Sequence, residues 1–137
     1  MPFDIAEANR LIGAAYGKVA YVAPTNPIVL RLMTTLGTAS ANGTEVVNAG
    51  GSAYAPQSVT AATPAAPTNG VLASNAAMTF TNMPDTNGVG GVKGAETWDS
   101  GSTPRRIQTG GLAAAKVTAL GDSLTIAAGQ FTANATL

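Results

Sequence analysis

Apolar residues recur at helical spacing only once along this chain, near the N-terminus, and elsewhere they alternate with polar ones in short runs. Ile5, Ala8, Leu11, Ile12 and Ala15 fall on the i, i+3, i+4, i+7 pattern of one helix face, which predicts a helix over Phe3 to Tyr16. Asp4 and Glu7 stand at capping-box spacing, and Gly17 supplies a stop. Gly13 weakens the helix a little. The segment lacks the basic face and bulky aromatics of a membrane-surface helix, so its apolar face is expected against its own domain or a neighbouring subunit.

Beyond Gly17 the period shortens. Val19 to Val22 is a β-prone run ended by Pro24, and Ile28 to Thr34 reads as a strand with Ile28, Leu30 and Leu32 on one face and Arg31 on the other. Leu36 to Ser52 is a small-residue loop with turn signals at Asn42-Gly43 and Gly50-Gly51. Tyr54 to Thr60 reads as a strand held to an edge or bulge by Pro56, which has no N–H for a ladder. Pro64 and Pro67 make Ala61 to Gly70 an extended connector, and Val71 to Ser74 and Ala77 to Met83 follow as short strands. In the second of these, Met78 and Phe80 share one face and Thr79 and Thr81 the other. Pro84 to Gly94 has no sustained period, and Ala95 to Asp99 brings in Trp98, the only tryptophan. Strands return over Arg105 to Gly111, Lys116 to Leu120, Ser123 to Ala127 and Phe131 to Leu137, with turns at Gly121-Asp122 and Gly129-Gln130.

About eight short strands at this spacing predict an all-β fold, a β-sandwich of jelly-roll-like kind with one short N-terminal helix. The expected organisation is an N-terminal helical segment or arm over residues 1–27 and a β-sandwich domain over 28–137. A chain of 137 residues can hold such a core without staples, and with no cysteine it has no disulfide framework. No N-terminal stretch has the layout of a secretory signal, and no apolar run approaches the ~20 residues of a spanning helix.

Charge alters this picture. Seven Lys plus Arg balance seven Asp plus Glu, and charged residues are 10% of the chain, against about 25% in ordinary domains. A surface of Ala, Thr, Gly, Ser and Asn repels nothing, which points to faces covered in an assembly and to self-association, most simply as a closed homotrimer. No basic stripe exists beyond the pair Arg105-Arg106, so nucleic acid is not an expected partner, and neither is a membrane.

Catalytic chemistry finds little to work with. The absence of histidine removes the commonest general base and the main imidazole ligand, and no G-x-S-x-G elbow activates a serine. Glu96 and Asp99 are the one carboxylate pair that spacing offers for glycoside hydrolysis, but solvated loop positions are the plainer expectation for both. Asp85, Asn87, Gly90 and Glu96 match positions one, three, six and twelve of a calcium loop. Val89 at the fifth position and Lys93 at the ninth leave too few oxygens, so the segment is expected to be structural and no metal or cofactor is expected. Trp98 is expected to pack in the core or to form a half-buried cap on the sandwich, the alternative being a platform for a sugar or a partner protein.

Several segments carry a family resemblance when taken in order. Ile28 to Thr35 is followed by Ala41-Asn-Gly-Thr-Glu-Val46 and Gly50-Gly-Ser-Ala-Tyr-Ala-Pro-Gln-Ser-Val59. Asn75-Ala-Ala-Met-Thr-Phe80, Glu96-Thr-Trp-Asp99 and Gly121-Asp-Ser-Leu-Thr-Ile-Ala-Ala-Gly129 come next. This order resembles a family of small tailed-bacteriophage virion proteins, labelled tail-fibre proteins or acting as capsid decoration and minor capsid proteins. Pro56 and the glycine-rich Pro84 to Gly94 loop depart from the family pattern, and residues 1–27 match it only loosely. The resemblance implies a β-sandwich without a catalytic site, a structural protein of the virion. The expected placement is a capsid decoration or minor capsid protein on the outer surface of the head, bound to the major capsid protein and to itself. The alternative is a tail-fibre or tail-tip module that contacts the host. Phe3, Ile5, Leu11, Ile12, Tyr54 and Trp98 are the expected partner-binding residues.

Overall fold

Strand pairing organises the chain around one long antiparallel ladder. The computed structural model describes residues 1–134. In chain order the elements are α1 (Ile5–Ala15), β1 (Val29–Thr35), β2 (Thr44–Glu45), β3 (Gln57–Ser58), α2 (Val59–Ala62), β4 (Val71–Ala73), β5 (Met78–Phe80), β6 (Val92–Trp98), β7 (Arg106–Lys116), β8 (Leu124–Ile126) and β9 (Thr132–Asn134). The fold is all-β with one N-terminal helix, as the alternating pattern predicts.

The main sheet runs β2-β1-β6-β7, with β3 sharing the β2 edge of β1. Its register pairs Leu30 with Thr97 and Leu32 with Ala95, so these side chains share one face, while Arg31 opposite Glu96 and Val29 opposite Trp98 share the other. The first face is covered by two short ladders, β4 with β9 and β5 with β8. Leu30, Leu32 and Ala95 meet Met78, Phe80, Met83 and Phe131 there in a single core. Met78 and Phe80 turn inward and Thr79 outward, as their alternation predicts, and the Thr79 and Thr125 hydroxyls lie 3.1 Å apart across the outer side of that ladder. Tyr54 stacks on Phe80 with ring centroids 5.9 Å apart.

Three expectations about local structure change, and a fourth is met as far as the described residues go. Val19 to Val22 forms no strand; both valines are exposed, and the segment is held by side chains rather than a ladder. Of Tyr54 to Thr60 only Gln57–Ser58 is strand, on an edge as Pro56 requires, because the Ser58 hydroxyl accepts from Ala61 N at 3.0 Å and caps α2. The runs Arg105 to Gly111 and Lys116 to Leu120 do not form two strands, since β7 continues through the glycines to Lys116 and then stops. β9 spans Thr132–Asn134, and the rest of the predicted closing strand, Ala135 to Leu137, lies outside the described residues.

The start of the N-terminal segment joins the main sheet. Phe3 bridges Gln108, Thr109 N donates to Pro2 O at 3.0 Å, and Asp4 N donates to Ile107 O at 2.8 Å, so residues 2–4 lie along the free edge of β7. Among the described residues no helix is long and apolar enough to cross a membrane.

Candidate functional site

The face of the main sheet that turns away from the core carries Arg31, Glu96 and Arg106, and the loop 36–43 and the N-terminal segment close over the last two. Glu96, on β6, is fully buried. Its Oε1 accepts from Arg106 Nη1 at 2.9 Å and from Gly43 N at 2.7 Å, and its Oε2 accepts from Trp98 Nε1 at 3.0 Å. Arg106 uses all five guanidinium N–H donors. Besides Glu96 it donates to Asp4 Oδ2 from Nε at 3.1 Å and Nη2 at 2.8 Å, to Ala41 O at 2.7 Å and to Thr38 O. Burying charges costs several kcal/mol per ion unless each lone pair and proton is matched, which is the condition met here. One side chain thereby fastens the N-terminus, β6 and the 38–41 turn to β7.

Asp4 does two tasks at once. Its Oδ1 accepts from Ala6 N at 2.8 Å as the predicted helix cap, while Oδ2 holds Arg106. The reciprocal half of the capping box does not form, because Asp4 N is already committed to Ile107 O and Glu7 turns elsewhere. Glu7 is fully buried beneath α1, where it accepts from Arg10 Nη1 at 3.0 Å and from the Tyr21 hydroxyl, with Arg105 Nε 3.6 Å away. Burial, the hydrogen bond it donates to Glu7 and the Glu7 charge push the Tyr21 hydroxyl up to about 12.

Arg105 links this helix to the sheet's end. Its Nη2 donates to Val22 O at 2.6 Å, and its Nε lies 3.8 Å from Asp99. Burial by itself raises the Asp99 carboxyl, but N–H donation from Arg105 at 2.8 Å, Thr25 at 3.1 Å and Gly101 at 3.4 Å, with the Arg105 charge, holds it below the ordinary value. A depressed carboxyl contributes stability that is complete above its unfolded pKa near 4 and is lost as pH falls through the folded one. Asp99→Asn is therefore expected to lower Tm at neutral pH and to flatten the decline of Tm below about pH 4. Thermal unfolding followed from neutral pH into acid checks this, and an unchanged acid slope would reject it.

Glu96 and Asp99 are thus neither solvated nor paired with each other, which corrects the loop reading of both. Each is buried and serves a different arginine, because β6 and the turn after it carry them under the N-terminal segment. Glu96 is equally unavailable to the calcium-like spacing. At the other end of that loop Asp85 Oδ1 accepts from Asn87 N at 2.8 Å in a local turn. Among the described residues no group of three or more potential ligands comes together.

Trp98 takes the half-buried position that is one of its two expected packing roles, and it is not an open platform. It is half-buried, with the Arg31 guanidinium 4.8 Å from its ring centroid and Arg31 also 3.5 Å from Glu45. Tyr54, expected at a partner surface, is buried, and its hydroxyl donates to Glu45 at 3.0 Å and accepts from Leu32 N at 2.9 Å. Burial raises that hydroxyl well above the ordinary tyrosine range.

The remaining expected partner residues divide. Phe3 is half-buried and lines an apolar groove of about 610 Å³ with Ile28, Leu72, Ile107 and Phe131. Leu11 is half-buried, while Ile5 and Ile12 are exposed. Sequence reasoning missed Arg105 and Arg106 as organising residues. The available signal was two adjacent arginines opening a strand in a chain with so few charges.

Residues 4–134 match the family model described as podophage GP4 fiber I protein gp80. No curated protein matches the chain.

Proposed function

The chain belongs to the podophage GP4 fiber I protein gp80 family and is a structural protein of a phage virion, and from that premise we propose that it is a fibre module. The family match carries this reading, because it spans α1, the main sheet and both small ladders rather than one motif. It moves the preferred placement from the head surface, expected from sequence, to a fibre, whose description the family model bears. The module works by holding shape, not by catalysis. Its buried carboxylates are engaged in cross-links between the N-terminal segment, β6 and β7, an arrangement suited to transmitting load through a small domain. Its partners in this placement are other fibre proteins and further copies of itself, and the major capsid protein is the partner of the head placement only.

Virions carrying an epitope inserted at the exposed Gly50-Gly51 turn, labelled with gold-tagged antibody, distinguish the two placements. Label on fibres is the expected result. Label distributed over the head shell would select capsid decoration instead.

A further inference from the structure

The chain holds the pair Asn-Gly at residues 42–43, 69–70 and 87–88, and the fold treats each one differently. Such a pair is open to attack within the chain, because glycine has no side chain to shield its backbone nitrogen from the asparagine amide. Two of the pairs have the same neighbours, since Thr68-Asn69-Gly70-Val71 recurs as Thr86-Asn87-Gly88-Val89. Any difference in their reactivity therefore comes from the fold.

The first pair is locked from both sides. Gly43 N donates to the buried Glu96 Oε1 at 2.7 Å, and the carbonyl of Ala41 accepts from Arg106 Nη1 at 2.7 Å. At the third pair, Asn87 opens a single 3₁₀ turn over Asn87–Val89. Its N–H donates to Asp85 Oδ1 at 2.8 Å, and its carbonyl accepts from Gly90 N at 3.1 Å. Thr86, just before it, is buried and accepts from both Val89 N and Gly91 N. Asn69 and Gly70 are instead the two central residues of a tight turn, with φ of 51° and 74°, as type I′ geometry requires. The bonds that close this turn belong to its flanks, Thr68 N to Val71 O at 2.9 Å and Val71 N to Thr68 O at 3.0 Å. Among the described residues no hydrogen bond engages Asn69 or Gly70, and both are exposed.

We propose that Asn69 is a site of spontaneous covalent modification, converting through a cyclic imide to aspartate and isoaspartate with water as the reactant, while Asn42 and Asn87 are spared. The Gly70 nitrogen gives its proton to solvent and attacks Asn69 Cγ. The N–Cγ bond forms, the Cγ–Nδ2 bond breaks, and the amide nitrogen leaves as ammonia with a proton taken from water. Water then adds to one of the two ring carbonyls and breaks its bond to the ring nitrogen, giving aspartate by one route and isoaspartate by the other. Ring closure needs the peptide plane between the two residues to turn. At 69–70 that rotation sacrifices no hydrogen bond, whereas at 42–43 and 87–88 it does.

Either product carries a carboxylate where a neutral amide stood, so a chain with no net charge acquires one negative charge. The charge arises one residue from Gly70, which lines the apolar groove with Leu72. Isoaspartate also adds an atom to the backbone of a two-residue turn, next to Val71, whose partner in β9 is Asn134. A virion does not resynthesise its chains, so the product accumulates with age. The inference goes beyond the fibre placement and does not depend on where in the virion the chain sits.

The test uses the full wild-type chain. Folded protein is held in mildly alkaline buffer made with water enriched in heavy oxygen, and samples are digested at intervals for peptide mass spectrometry and isoaspartate assay. Uptake of heavy oxygen and isoaspartate are expected at Asn69. Conversion should be about tenfold slower at Asn87 and about 10–100-fold slower at Asn42, as the bonds that must open there dictate. In guanidinium chloride Asn69 and Asn87 should convert at one rate, because their neighbours are identical. A folded chain in which Asn42 or Asn87 converts as fast as Asn69 overturns the proposal. So does an Asn69 that stays intact in the folded chain while the denatured chain converts. A difference between Asn69 and Asn87 that persists in denaturant overturns it as well, since the fold would then not be its cause. These measurements read the turn alone, and virion labelling reads the fibre placement alone, so either can fail without the other.

Discussion

Replacing Arg106 with Met is expected to destabilise the domain by about 3–5 kcal/mol, the range found when one partner of a buried ion pair is removed. The side chain is 2% exposed, and its loss leaves Glu96 fully buried with its main counter-charge gone and Asp4 without its partner. It also releases two loop carbonyls, Thr38 O and Ala41 O, from their donors. Against a typical domain stability of about 5–15 kcal/mol, this is a large fraction of the total. A fall in Tm of roughly 10–20 °C is expected by calorimetry or circular dichroism. Adding Glu96→Gln to Arg106→Met should recover part of the loss, since the double variant no longer buries the uncompensated Glu96 charge. A single variant within about 1 kcal/mol of the parent would show that the pair carries little of the fold.

The second large effect is expected at Gly37. A methyl group there would stand 2.2 Å from Glu96 Oε1 and 2.7 Å from both Arg106 Nη1 and Gly43 N. None of the three can retreat easily, because two belong to the buried ion pair and the third is backbone bonded to it. Overpacking of this kind costs about 1–3 kcal/mol, and Gly37→Ala is expected at the upper end, near 3 kcal/mol, by urea unfolding. Gly88→Ala is the matched control. Its added methyl meets nothing within 4 Å, so it should be neutral or slightly stabilising. Equal losses at the two sites would mean that the loop can lift away from the sheet without penalty.

Both predictions rest on charges that were not legible in the sequence, whereas most of the apolar framework was. Leu30 with Leu32 and Met78 with Phe80 are where alternation puts them, since a period of two needs only neighbouring residues to be read. The helix and its Asp4 cap are local in the same sense. What failed depended on distant partners. Glu7, Glu96, Asp99 and Arg106 have side chains that are ordinarily solvated, and nothing beside them in the sequence says that they meet. Val19 to Val22 has strand propensity but no strand edge to pair with, and Val59 begins a short helix because Ser58 caps it.

The bonds that tie Asp4 to Arg106 join residues 102 positions apart, and Met1 O to Gln108 a further five. At roughly 5–20 residues per second, a ribosome that has made Asp4 needs about 5–20 s more to reach Arg106. Throughout that interval the N-terminal segment lacks its place on the sheet, because Asp4 waits for Arg106 and the edge of β7 does not yet exist, although Glu7 already has Arg10 and Tyr21 beside it. The start of α1 is therefore fixed to the sheet only on a chain synthesised through β7. Truncated products that end before Arg105 would lack both the Asp4–Arg106 pair and the β7 edge on which residues 2–4 lie.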